Sequence, residues 1–77
     1  MEIYKIKIDN EFYVKGVLFD TANGELKLKP IATIFEDEAG WFEEDKAIKY
    51  CEELNKEFNS EGIKFDLEEV KSNVVHN

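Results

Sequence analysis

The side chains suited to nucleophilic chemistry in this 77-residue chain are one cysteine, Cys51, one histidine, His76, and two serines, Ser60 and Ser72. A nucleophile of this kind needs a base held within hydrogen-bond reach and a third group that orients the base. His76 is the penultimate residue, in a stretch without periodicity that is expected to fray. Ser60 falls at the expected end of a helix and Ser72 in that same stretch. Cys51 lies in an apolar stripe, where a thiol acts as a small buried hydrophobe with a raised pKa. No triad can be assembled from these parts.

Carboxylates are the other candidates, gathered in Glu36-Asp37-Glu38 and Glu43-Glu44-Asp45. A calcium loop needs a glycine at its sixth position and a glutamate at its twelfth. Placing Gly40 sixth puts Phe35 first and Lys46 twelfth, so the pattern fails at both ends. Zinc needs a set of cysteine and histidine ligands, and this chain has one of each. Paired carboxylates for glycoside cleavage need one acid in an apolar pocket, whereas these fall at turns and on polar faces. Gly16, Gly24, Gly40 and Gly62 are isolated and build no phosphate cradle. The expectation is a non-enzymatic chain with no metal and no cofactor.

The elements that would position these groups read clearly in places. Tyr4, Ile6 and Ile8 alternate with Lys5 and Lys7, as a half-buried strand over residues 3–8 requires. Asp9-Asn10 tolerates left-handed backbone and predicts a hairpin turn into a second strand over 12–19. On that strand Phe12, Val14 and Leu18 are expected inward, with Tyr13, Lys15, Val17 and Phe19 on the opposite face. Gly16 interrupts it and marks a candidate bulge. Asn23-Gly24 is the strongest turn signal in the chain. Leu26 and Leu28 alternate with Lys27 and Lys29 in a third strand, which Pro30 makes either an edge or an end. Ile31–Phe35 either extends it or forms a short fourth strand.

A helix is predicted over 43–59 from Ala47, Ile48, Cys51, Leu54 and Phe58, which recur three and four apart. Glu43, Glu44 and Asp45 suit its positive end, Trp41 or Phe42 staples its start, and Gly62 ends it. The pairs Asp45/Lys49, Lys49/Glu53 and Glu52/Lys56 are expected on its outer face. Ile63–Val70 alternates as a last strand. The prediction is a two-layer α+β domain over residues 1–70, followed by a flexible tail at 71–77. One helix packs on a three- to five-stranded, mainly antiparallel sheet in the order β-β-β-(β)-α-β.

Composition narrows the function classes. One cysteine excludes a disulfide-stapled secreted domain, no basic apolar leader is visible, and no apolar run exceeds three residues. A cytoplasmic protein, associated with no membrane, is expected. Net charge is −8, and all ten bases are lysine. The absence of arginine argues against bidentate phosphate or guanine recognition. Residues 1–35 are electrically balanced, so the excess acid lies downstream of Phe35.

Two surfaces emerge as candidates. Asp37, Glu38, Glu44, Asp45, Glu52, Glu53 and Glu57 form an expected acidic partner-binding face, because carboxylates four apart on a helix stand ~6 Å from one another, near the spacing of nucleic-acid phosphates. Solubility alone is the competing explanation. Tyr13, Lys15 and Phe19 form an alternative site on the open sheet face, for single-stranded nucleic acid, a small ligand or self-association as a homodimer. Cross-strand ion pairs to Glu11, Glu25, Asp66 or Glu68 are the competing explanation there, and direct nucleic-acid binding is disfavoured by the net charge.

The opening hairpin Ile3–Phe19 with Phe12-Tyr13-Val14-Lys15, the helix Asp45–Leu54 and the closing Phe65–Val70 together resemble small acidic proteins encoded by phages and prophages of low-GC Gram-positive bacteria. The likeness lies in patterns of hydrophobicity and charge over most of the chain. It implies an interaction protein, since characterised examples block host defence or replication machinery, CRISPR and restriction effectors included, often by imitating nucleic acid. The implied partner is a host protein with a basic surface. The resemblance carries over no catalytic residue.

Overall fold

The computed structural model of the chain describes residues 2–71; Ser72, His76 and the rest of the expected tail beyond Lys71 lie outside the described residues. Strand β1 spans Ile3–Ile8, β2 Phe12–Ala22, β3 Glu25–Thr33, β4 Phe42–Glu43 and β5 Phe65–Glu69, with one α-helix, α1, over Glu44–Phe58. The α+β class holds: one helix lies against a five-stranded antiparallel sheet. Both turns form as their residues require. Asp9 and Asn10 (φ 51° and 60°) and Asn23 and Gly24 (φ 54° and 79°) take the left-handed backbone of tight hairpins. Gly62 (φ 75°) closes the 3₁₀ turn Asn59–Glu61 that follows the helix.

Strand β1 is the spine. Strand β5 pairs along one side of it, from Tyr4↔Glu69 to Ile8↔Phe65. The other side is shared. Strand β2 holds only the far end, at Lys7↔Tyr13 and Ile8↔Phe12, and β4 holds the near end, at Ile3↔Glu43 and Tyr4↔Phe42. Beyond Val14, β2 leaves the spine and pairs with β3 alone, from Gly16↔Ile31 to Ala22↔Glu25. The result is a two-stranded ribbon that packs back on α1. Strand β3 runs through Pro30, which an outer strand tolerates, so residues 31–33 extend it. The fourth strand is two residues after Trp41, not in Ile31–Phe35.

The feature with the widest consequence is the bulge expected at Gly16, which forms between Val14 and Gly16. One extra residue reverses the alternation of everything after it. Val14 faces the helix and is fully buried, and after the bulge Val17 and Phe19 face the helix as well. Leu18, expected inward, is 55% exposed on the outer side. The assignment of Val17 and Phe19 to the open face is thereby corrected.

The core is small: Ile6, Ile8, Val14, Leu28, Cys51, Leu54 and Phe65, with Val17, Phe42, Tyr50, Phe58 and Ile63 packed around it. Ala47 adds a fully buried methyl on the same face of α1. Ile48 is 41% exposed, because 100° per residue carries it to the side of the stripe. Phe42, not Trp41, anchors the helix start, its ring 5.7 Å from Tyr50 and nearly perpendicular to it. Glu43 occupies the N-cap without a side-chain cap hydrogen bond. None of the expected Asp45/Lys49, Lys49/Glu53 or Glu52/Lys56 pairs closes to within 4.0 Å; the ion pairs formed among the described residues tie lysines of the strands to acids elsewhere.

Candidate functional site

The open face of the sheet is already occupied by its own counter-ions. Lys5 Nζ lies 3.3 Å from Glu36 and 5.8 Å from the Tyr13 ring centroid. Lys7 lies 3.6 Å from Glu68, and Lys15 lies 3.7 Å from Glu38. A 3₁₀ turn, Glu36–Glu38, sets these acids over the face, and the Thr33 hydroxyl donates to Glu38 at 3.2 Å. Burial pushes the Tyr13 phenol pKa upward, with the Glu68 and Glu36 charges adding to it. Tyr13 and Lys15 stay on this face, but the bulge sends Phe19 to the other. The three do not form one site.

The acidic residues are likewise divided. Asp37 and Glu38 sit in the 3₁₀ turn, Glu38 against Lys15. Glu57 meets Lys27 at 3.9 Å. Asp45 and Glu52 project to solvent on the outer arc of α1, which Lys49 and Lys56 share at 100° per residue. Glu53 lines a groove described below. Glu44 turns toward the sheet and meets Glu2 and Tyr4.

That last meeting is an acidic end of the molecule. The Tyr4 hydroxyl reaches Glu2 at 2.9 Å and Glu44 at 3.2 Å, while Glu69 stands opposite Tyr4 on β5 and Glu43 opposite Ile3 on β4. Glu44 is raised above the ordinary carboxylate range, chiefly by its hydrogen bond to Glu2 and by that neighbour's charge; Glu2 is lowered, chiefly by the same bond and then by Tyr4. The Tyr4 phenol is pushed up to about 12, first by its hydrogen bond to Glu2, with burial and the two carboxylate charges adding to it. A phenol that holds its proton more tightly when folded stabilises the fold below its ordinary pKa, and this support is lost as pH rises through the folded value. Phenolate absorbance should therefore show Tyr4 titrating near pH 12, and Tyr4→Phe should remove that step and flatten the alkaline stability limb.

A groove runs between α1 and the inner side of the β2–β3 ribbon. One part, about 490 Å³, is lined by Phe19, Leu26, Leu28, Lys46, Lys49, Tyr50 and Glu53. A second, about 370 Å³, adjoins it through Lys46 and Tyr50 and reaches Val17, Trp41, Phe42 and Glu43. Tyr50 is pinned at the centre, edge-on to Phe42 on one side and to Phe19 at 5.9 Å on the other. Trp41, Leu26 and Phe19 stand 67%, 65% and 56% exposed around it. Each part has the volume of a ligand or side-chain pocket.

Compared with family models, curated proteins and solved structures, the chain matches none. Family, substrate and partner must therefore be argued from its own residues.

Sequence reasoning missed this groove. Its signals were Tyr50 beside the apolar stripe, the ring pair Trp41-Phe42 before the helix, and a glycine that shifts the strand's phase. Cys51 takes the structural place expected of it. Its thiol donates to the Phe65 carbonyl at 3.3 Å, and burial raises its pKa, with the Asp66 and Glu52 charges adding. Among the described residues no three His, Cys, Asp or Glu side chains come together to hold a metal ion, and no helix is long and apolar enough to cross a membrane.

Proposed function

We propose that this chain is a non-enzymatic protein-binding module that docks its partner in the groove between α1 and the β2–β3 ribbon. The observation that carries the reading is the set of exposed side chains, Phe19, Trp41 and Leu26, around a fixed Tyr50. A small domain has little apolar surface to spare, and large side chains left outside its core in one contiguous place mark an interface. Aromatic anchors surrounded by a polar rim are also where binding energy concentrates.

A second reading keeps the acidic character in the leading role. It makes the chain a phage-type inhibitor of a host nucleic-acid-handling protein, acting on that protein's basic surface. Its support is the acidic end, where Glu2, Glu44 and Glu69 gather at Tyr4 with no lysine within 4.0 Å of them among the described residues. The interleaved lysines on the outer arc of α1 weaken the helix itself as an imitation of a phosphate row.

One experiment separates the two. The immobilised protein is challenged with lysate of a low-GC Gram-positive bacterium beside two variants, Phe19→Ser/Trp41→Ala and Glu44→Lys/Glu69→Lys. The groove reading expects at least tenfold weaker retention of the bound protein by the first variant and little change with the second. Retention that survives the first, fails with the second and falls steeply with salt would replace it with the acidic reading.

A further inference from the structure

The charges around the groove restrict what can fill it. The five lysines of the N-terminal half are each paired with a carboxylate, whereas Lys46 and Lys49 have none within 4.0 Å among the described residues. Both line the groove, and Lys46 borders both of its parts. In a chain of net charge −8, two unengaged ammonium groups therefore stand beside the exposed Phe19, Leu26 and Trp41. Glu43 and Glu53 stand on the same walls. A long polyanion would meet them as well as the lysines, so they select against nucleic acid and for isolated carboxylates.

Resting on the groove reading, we propose that the occupant is a peptide segment of the partner protein that seats a bulky apolar side chain against Tyr50, Phe19 and Leu28 and presents a neighbouring carboxylate to Lys46 and Lys49. A ring or leucine of the segment fills the space between helix and ribbon. Its acidic neighbour supplies the ion pairs that the lysines lack within the chain. The apolar contact gives affinity, and the carboxylate sets orientation and discriminates among segments.

The test uses the whole chain, isotope-labelled for amide chemical shifts, with blocked six-residue peptides as probes. In one, leucine and phenylalanine are flanked by aspartates; in the others the aspartates become serines or lysines. An oligothymidylate of similar length is the fourth probe. The aspartate peptide should shift Phe19, Leu28, Lys46 and Tyr50 and bind at least tenfold more tightly than the lysine peptide. Lys46→Glu/Lys49→Glu, which touches no core residue, should reverse that order while leaving the thermal midpoint within a few degrees.

Equal affinity for all three peptides would overturn the carboxylate preference and leave the groove as a docking surface. Binding of the oligothymidylate at the same residues, tighter than any peptide, would replace the peptide with nucleic acid. If no probe shifts the groove residues, and Phe19→Ser/Trp41→Ala retains its partner from lysate, the groove reading itself falls with the inference.

Discussion

Gly40→Ala should cost about 3 kcal/mol, the sum of a forced overpacking and a weakened backbone hydrogen bond. A Cβ built on Gly40 would lie 2.6 Å from the Lys15 carbonyl oxygen and 3.0 Å from the Phe42 ring. The ring can turn, but the carbonyl belongs to the backbone of the bulge and has nowhere to go. The Gly40 N–H also donates to the Val14 carbonyl at 2.9 Å, which holds the two segments at this separation. A domain of this size has roughly 4–12 kcal/mol in total, at about 0.05–0.15 per residue. The thermal midpoint should therefore fall by roughly 10–20 °C. Gly16→Ala is the control, because its Cβ would meet only Ile31 Cδ1 at an ordinary 3.7 Å. Equal losses for the two variants would show that Gly40 does not hold this crossing.

Asn55→Ala should cost about 2–3 kcal/mol and also change the solution behaviour of the protein. Its side chain acts as a surrogate peptide group for the outer edge of β5: Nδ2 donates to the Phe65 carbonyl at 2.9 Å, and Oδ1 accepts from the Phe65 N–H at 2.8 Å. On the inner side Lys64 is served in the same manner by Asp9, through its backbone N–H and its carboxylate. Alanine would leave the Phe65 N–H without its acceptor and the carbonyl with only the weak thiol donor. An uncapped edge also invites pairing with a second chain, against which Asp66, Glu68 and Glu69 give partial protection. Equilibrium denaturation would measure the first effect, and sedimentation over a concentration series the second. Asn55→Asp, which keeps the acceptor and loses the donor, should fall between. Wild-type stability and sedimentation in Asn55→Ala would remove the capping role.

What could be read from the residues was whatever local chemistry decides. Asp9-Asn10 and Asn23-Gly24 specify their turns, the lysine alternation fixes the faces of β1, and the helix announces itself in Ala47, Cys51, Leu54 and Phe58. The rest depends on pairings that no short window contains. Gly16 signals a bulge, but the reversal it imposes on Val17, Leu18 and Phe19 depends on how β2 pairs with β3. Strand β4 is too short to carry a period. Asn55 reads as an ordinary polar helix residue until Phe65 is brought beside it. The number of acidic residues is legible, but their grouping depends on lysines arriving from distant strands, and on Glu44 turning to Tyr4 in place of solvent.

The shared side of β1 has one further effect. Because β4 takes the near half of that side, the distal ribbon from Gly16 to Ile31 is secured only by its own ladder and by side chains resting on α1. Such an arm should open locally at a lower free energy than the spine, and its amides should exchange faster than those of β1. The ribbon wall of the cleft would then lift while the helix wall stays in place. The proposed segment should in that case leave at a rate set by how often the ribbon lifts.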